Sequence, residues 1–113
     1  MSEKKIESYL RQRVKELGGK AYKFVSPGNK GVPDRLIGLP GNRIIFTGIK
    51  SPGEIPTKLQ RYKHREMRAL GMIVFGCVDT KEKVDRLIGA LSGTQLNQIL
   101  ASGCLDDLEV KDR

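Results

Sequence analysis

The sequence predicts a single α/β domain with a mixed central sheet flanked by helices, in the order α-β-β-β-α-β-α. Three observations carry this: an amphipathic opening segment, two β-type runs joined by a glycine-containing turn, and an apolar run that follows a capped helix. A chain of 113 residues suits one compact unit with one core. Residues 1–92 are expected to form that core, and residues 93–113 a C-terminal helix and tail packed on the same domain.

In the opening segment Ile6, Leu10, Val14 and Leu17 recur at helical spacing. Ser2 can cap its start, and Gly18-Gly19 stop it. AYKFV (21–25) has strand character, and SPGNKGVP (26–33) is loop chemistry throughout. RLIGL (35–39), the turn PGN (40–42) and RIIFTGIK (43–50) make a hairpin. After the loop 51–56, Thr57 and Gln60 match a capping box that opens a helix running to about Leu70 and closing at Gly71. Its outward positions read as basic: Lys58, Arg61, Lys63, Arg65 and Arg68. MIVFGCV (72–78) fits a strand buried on both faces, and because it follows a helix it should return parallel to the strand before. Asp79 and Glu82 form a second box-like start, for a helix carrying Val84, Leu87, Ile88 and Leu91. A short helix at 94–101 and a frayed acidic tail complete the expectation.

Composition narrows the function. No stretch approaches the roughly 20 apolar residues of a membrane span, and the polar start has no secretory h-region, so a cytoplasmic protein is expected. Cys77 and Cys104 are far apart and form no CxxC pair, which suggests neither zinc nor a disulfide framework. The net charge is +8, and it is unevenly spread: 16 basic and 6 acidic side chains in residues 1–72, against 5 and 7 in residues 73–113. A basic body suits a polyanion, with nucleic acid the first expectation. Aromatic residues are few, so the composition favours contact with the backbone over a base-stacking platform.

If the hairpin is symmetric about Gly41, Asp34 faces position 48, and Lys50 lies on the same face as position 48. A bulge in the turn would shift that register by one. A carboxylate, a second position able to hold one, and a lysine are the parts of metal-assisted phosphodiester hydrolysis. Magnesium takes oxygen ligands, few of them carboxylates, and keeps water for the chemistry. A lysine can orient or deprotonate the attacking water and offset charge on the phosphate. Yet position 48 is glycine, and a glycine inside a strand marks a bulge, a close approach or a missing side chain.

The string Gly31-Val32-Pro33-Asp34-Arg35, followed by a strand ending in x-I-K at Lys50, resembles the VRR-NUC branch of the PD-(D/E)xK nucleases. That branch includes small stand-alone phage proteins and the nuclease domain of the Fanconi-associated nuclease. Ser26-Pro27-Gly28 before the motif and Gln60 after it extend the likeness, which runs from the first helix to about Leu91. The resemblance implies a restriction-endonuclease-like fold and a metal-dependent DNA endonuclease, using Mg²⁺ or Mn²⁺ and acting in the cytoplasm of a bacterial or phage-infected cell. It also implies homodimers similar to Holliday junction resolvases, with branched DNA as substrate. On this basis Asp34 would be the central metal ligand, Lys50 the catalytic lysine, and the Ile49 carbonyl a further metal oxygen. Glu7 or, less favoured, Glu3 would add a glutamate from the first helix, and Gln60 would approach from the next one. Lys20, Lys23, Ser26, Lys30, Arg35 and Arg61 are the residues expected along the DNA.

Gly48 is the departure, because the family has an acid there, usually Glu. Losing one of about three anionic ligands should weaken magnesium binding and leave any remaining ion poorly placed. A deliberate inactivating change, a chance change selected against toxicity in an expression host, and a natural pseudonuclease all fit; a variant of an active enzyme is preferred because every other site residue is intact. Other residues have plainer explanations. Asp34 can initiate a turn after Pro33 and Lys50 can be an ordinary edge charge. Glu7 can pair with Arg11 one turn on, Gln60 can serve the cap alone, and His64 reads as a surface or DNA-facing residue. A non-catalytic DNA-binding module and an accessory subunit that needs a partner stand as alternatives to the enzyme.

Overall fold

The computed structural model describes residues 2–92. Its elements are α1 (Glu3–Glu16), β1 (Lys20–Lys23), β2 (Arg35–Leu39), β3 (Arg43–Ile49), α2 (Lys58–Ala69), β4 (Ile73–Val78) and α3 (Lys81–Leu91). The expected order therefore holds over the described residues, and the helix expected at 94–101, the tail and Cys104 lie outside them. The sheet runs β1-β2-β3-β4, antiparallel except for the β3–β4 pair, which α2 makes parallel by crossing over.

Caps start the helices. The Ser2 side chain accepts from the Lys5 N–H, and Thr57 and Gln60 exchange both bonds of a capping box. For α3 the cap is Thr80, which accepts from the Lys83 N–H at 3.1 Å, so the box expected from Asp79 and Glu82 is not the one formed. Asp79 is drawn elsewhere. Its carboxylate pairs with the Lys83 ammonium at 2.8 Å and accepts the Gly53 N–H at 3.1 Å, both side chains being almost fully buried. This pins the loop after β3 to the start of α3.

The two faces of the sheet differ. Ile37, Ile45, Ile49, Phe75 and Val78 pack against Ile6, Leu10 and Val14 of α1 and Val84, Leu87, Ile88 and Leu91 of α3 to form the core. The opposite face carries the row Tyr22, Leu36, Phe46 and Val74, fixed by strand register. Over its β4 side lies α2, burying His64 and Met67. Arg68, expected to face outward, instead donates from Nε and Nη2 to the Val74 carbonyl at 3.2 and 2.9 Å. His64 is likewise only 4% exposed, contrary to the surface position expected of it.

Two glycines show how tightly the sheet packs on one side and how loosely on the other. A Cβ at Gly19 would stand 2.3 Å from the Gly38 carbonyl oxygen and 2.6 Å from Leu39 Cδ2, whereas one at Gly38 would meet nothing within 4 Å. Gly19→Ala should therefore destabilise the fold by about 1–3 kcal/mol, and Gly38→Ala should be neutral or stabilising by about 0.5–1 kcal/mol, both read by urea unfolding. Lys83→Met should cost about 3–5 kcal/mol, because it strands the buried Asp79 charge. Replacing Asp79 with Leu in the same protein should recover most of that loss in the same assay.

Candidate active site

The hairpin places the site. Gly41 and Asn42 both adopt positive φ (84° and 63°), as short hairpin loops require, and the strands then pair Arg35 with Thr47 and Leu36 with Phe46. That register brings Asp34 opposite Gly48. Asp34 is fixed on both sides: its carbonyl accepts from the Phe24 N–H and from Arg35 Nη1, each at 2.8 Å. Its carboxylate Oδ1 accepts the Ile49 N–H at 3.0 Å. Beyond the end of β3, Lys50 is held by its own N–H donating to the Val78 carbonyl at 3.0 Å.

Between β3 and β4 the pairing shifts, from Thr47 opposite Phe75 to Ile49 opposite Val78. Two residues of β4, Gly76 and Cys77, thus oppose the single Gly48, which makes a β-bulge at the motif. Gly48 also sits against its neighbour. A Cβ there would stand 2.9 Å from the Gly76 carbonyl oxygen, closer than real Cβ atoms come, so a side chain at 48 requires β4 to give. The glycine is at once a bulge, a close approach and a missing side chain.

A cavity of about 150 Å³ opens at this point, lined by Glu3, Val32, Pro33, Asp34, Gly48, Ile49, Lys50, Gln60, His64 and Gly76. Five residues expected at the site, Asp34, Gly48, Ile49, Lys50 and Gln60, are therefore brought together. Gln60 belongs to both expectations, since its Oε1 accepts the Thr57 N–H at 2.9 Å while its side chain lines the cavity. Of the two glutamates expected from α1, Glu7 and the less favoured Glu3, it is Glu3 that lines the cavity. Glu7 pairs with Arg11 at 3.0 Å and with Arg35 at 3.4 Å, and Arg35 lies on the core face, one residue out of phase with Asp34.

Along the expected DNA path Lys20, Lys23, Lys30 and Arg61 are exposed. Ser26 is half-buried in a turn, where its hydroxyl accepts from Asn29 Nδ2 at 3.0 Å. The Arg35 side chain is only 17% exposed and is held by Glu7 and the Asp34 carbonyl, so it orders the motif and does not offer itself to solvent. His64 and Gly76 are cavity residues that sequence reasoning missed. His64 could have been found from its place one helical turn after Gln60, and Gly76 from being a glycine within a β-type run.

The side chains present do not fit a divalent ion well. Among the described residues no three His, Cys, Asp or Glu side chains gather at metal-binding spacing. One oxygen of Asp34 is occupied by the Ile49 N–H, Glu7 is paired with arginines, and position 48 offers no oxygen.

No protein-family model matches the chain. Among curated proteins, "Putative nuclease p44" of Acyrthosiphon pisum secondary endosymbiont phage 1 is 54% identical over 69 residues, 61% of this chain and 74% of that protein. A solved structure described as "VRR_NUC domain" superposes with a TM-score of 0.71 at 32% identity, covering 77% of this chain and 94% of that one. Each likeness spans most of its counterpart, and the solved one is a VRR_NUC domain, and so the chain belongs to the VRR-NUC family of nucleases.

Proposed function

We propose that the chain binds branched DNA as a homodimer and is built as a divalent-metal-dependent endonuclease whose cleavage is impaired by the glycine at position 48. The observation that carries this reading is the shared cavity of Asp34, Lys50 and the side-chain-free Gly48. In it Lys50 offsets charge on a phosphate, and Asp34 supplies a carboxylate beside it. Mg²⁺ or Mn²⁺ would activate water in such a nuclease, with Asp34, the Ile49 carbonyl and a glutamate of α1 as the ligands implied by resemblance. Without an acid at 48 that set is too poor in oxygens. A domain this small covers one strand, and two copies about a two-fold axis suit a symmetric junction.

A second reading, a DNA-binding module with no cleavage at all, is favoured by the Gly76 carbonyl oxygen standing only 2.9 Å from where a side chain at 48 would begin. Restoring the acid separates the two. Gly48→Glu should cut a four-way junction in Mg²⁺ or Mn²⁺ at least about 100-fold faster than the unaltered chain. Gly48→Ala, which adds only the Cβ, reports the cost of moving β4 through its melting temperature. If Gly48→Glu folds and binds junctions yet never cuts them, the enzyme reading fails and the binding module stands. Cutting only when host extract is added would point to a subunit that needs a partner. Efficient cleavage by the unaltered chain would remove the claim of impairment.

The basic residues near the site predict a salt effect. Replacing Lys30 and Arg61 together by Ala should lower the slope of log K against log salt by about 1–2, at about 0.9 for each phosphate no longer neutralised. Titrations of duplex binding at several salt concentrations read this directly.

A further inference from the structure

The sheet face opposite the core is covered by α2 on its β4 side, but away from α2 it carries Tyr22 of β1 at 50% exposure and Ile44 of β3 at 56%. Across the strands Lys20 pairs with Gly38, Tyr22 with Leu36, and Gly38 with Ile44. Register partners share a face, so Lys20, Tyr22, Gly38 and Ile44 stand together. All four line an open depression of about 520 Å³. Gly38 leaves a gap in it, since a Cβ there would meet nothing within 4 Å.

Charge and shape select the occupant. The Lys20 ammonium lies 4.9 Å from the centre of the Tyr22 ring. Phe24 and Phe46, packed edge to face with centroids 5.1 Å apart, continue the aromatic surface toward Asp34, whose carbonyl accepts the Phe24 N–H. A ring, a cation and a side-chain-free gap match the π-face and phosphate of a nucleotide, and the basic charge of this half of the chain suits a polyanion. Gly38 of β2 lies four residues from Asp34, about 13 Å at about 3.3 Å per residue, and on the same face. One strand of DNA can touch both.

We propose that this open face docks an unpaired DNA strand, with a base seated over Gly38 between Tyr22 and Ile44 and its phosphate held by Lys20. The inference rests on the DNA-binding reading above and adds to it: among branched substrates, one with a single-stranded arm beside the site is held by this face as well. A base inside a duplex has both faces stacked on its neighbours and cannot enter the gap. Scarcity of aromatic residues argues against stacking only while they are dispersed, and Tyr22, Phe24 and Phe46 are gathered on this one face.

Fluorescence anisotropy without divalent cation tests it, using a blunt duplex, the same duplex with a single-stranded arm, and a four-way junction. The unaltered chain should bind the armed duplex about tenfold more tightly than the blunt one, with the junction no tighter than the armed duplex. Tyr22→Ala and Gly38→Leu should abolish that preference while leaving blunt-duplex affinity and melting temperature unchanged. Gly38→Leu is the sharper variant, because its Cβ enters open space while the rest of the side chain fills the gap. Equal affinity for armed and blunt duplex in all three proteins overturns the docking site and leaves the DNA-binding reading standing. Failure of the unaltered chain to bind any DNA at low salt sinks that reading as well. A change from dimer to monomer on sedimentation of Gly38→Leu, with DNA affinities unmoved, overturns the docking site by assigning the face to a second copy of the chain.

Discussion

The hydrogen bond from the Ile49 N–H to Asp34 Oδ1 is the contact through which the site is assembled. It exists only in the hairpin register that sets residue 34 opposite residue 48, and a slip of one residue would turn every side chain of β3 to the other face. Both the core and the cavity depend on that choice. Ile45 and Ile49 reach α1 and α3 in this register alone, while Asp34 and Lys50 reach the opposite face. Burial of one face thus specifies the chemistry of the other. The turn supports the register locally, because Gly41 and Asn42 accept the positive φ that a short hairpin loop needs.

The bulge at Gly48 alters what a glycine at this position means. Had the site been open around position 48, the glycine would be a simple deletion, reversible by adding the side chain back. With the Gly76 carbonyl oxygen 2.9 Å from the place of a Cβ, the two backbones are adjusted to each other. A glycine on each strand at the bulge lets the two backbones approach as ordinary residues would not. Restoring an acid is therefore a change in strand spacing as well as in charge. Because Lys50 is itself anchored to β4 through Val78, a shift of β4 moves the lysine too.

Much of this was legible in the sequence. The alternation of Ile37, Leu39 and Ile45, the Thr57–Gln60 box and the symmetric turn are local signals, and they led to the observed strands, helix start and Asp34–Gly48 pairing. Misreadings arose where two local signals competed or where the information was not local. Asp79 and Thr80 are both good cap residues, and the choice between them was made by Lys83 and the Gly53 N–H, partners that become neighbours only after folding. Glu3 and Glu7 share a helix face at one-turn spacing, and what separates them is Arg35 on β2. His64 looks like one more polar residue on a basic helix until α2 is laid over β4. The approach of Gly76 to Gly48 depends on the register of a parallel pair, which a crossover helix leaves unmarked in the sequence.

The sheet divides stability and recognition between its faces. The core face has two helices and almost every buried large aliphatic residue, so it supplies most of the apolar burial. The other face has one helix, and the side chains it leaves outside that helix contribute little to holding the fold. Such a face can change its residues without unfolding the domain, and it is where Asp34, Lys50, Tyr22 and Gly38 all lie. The lack of a side chain at Gly48, at one end of that face, need not disturb the other end, because about 13 Å of strand separates them. On the proposed reading, binding and cleavage are then separable properties of one surface, and a chain without an acid at position 48 would keep the face proposed to hold DNA.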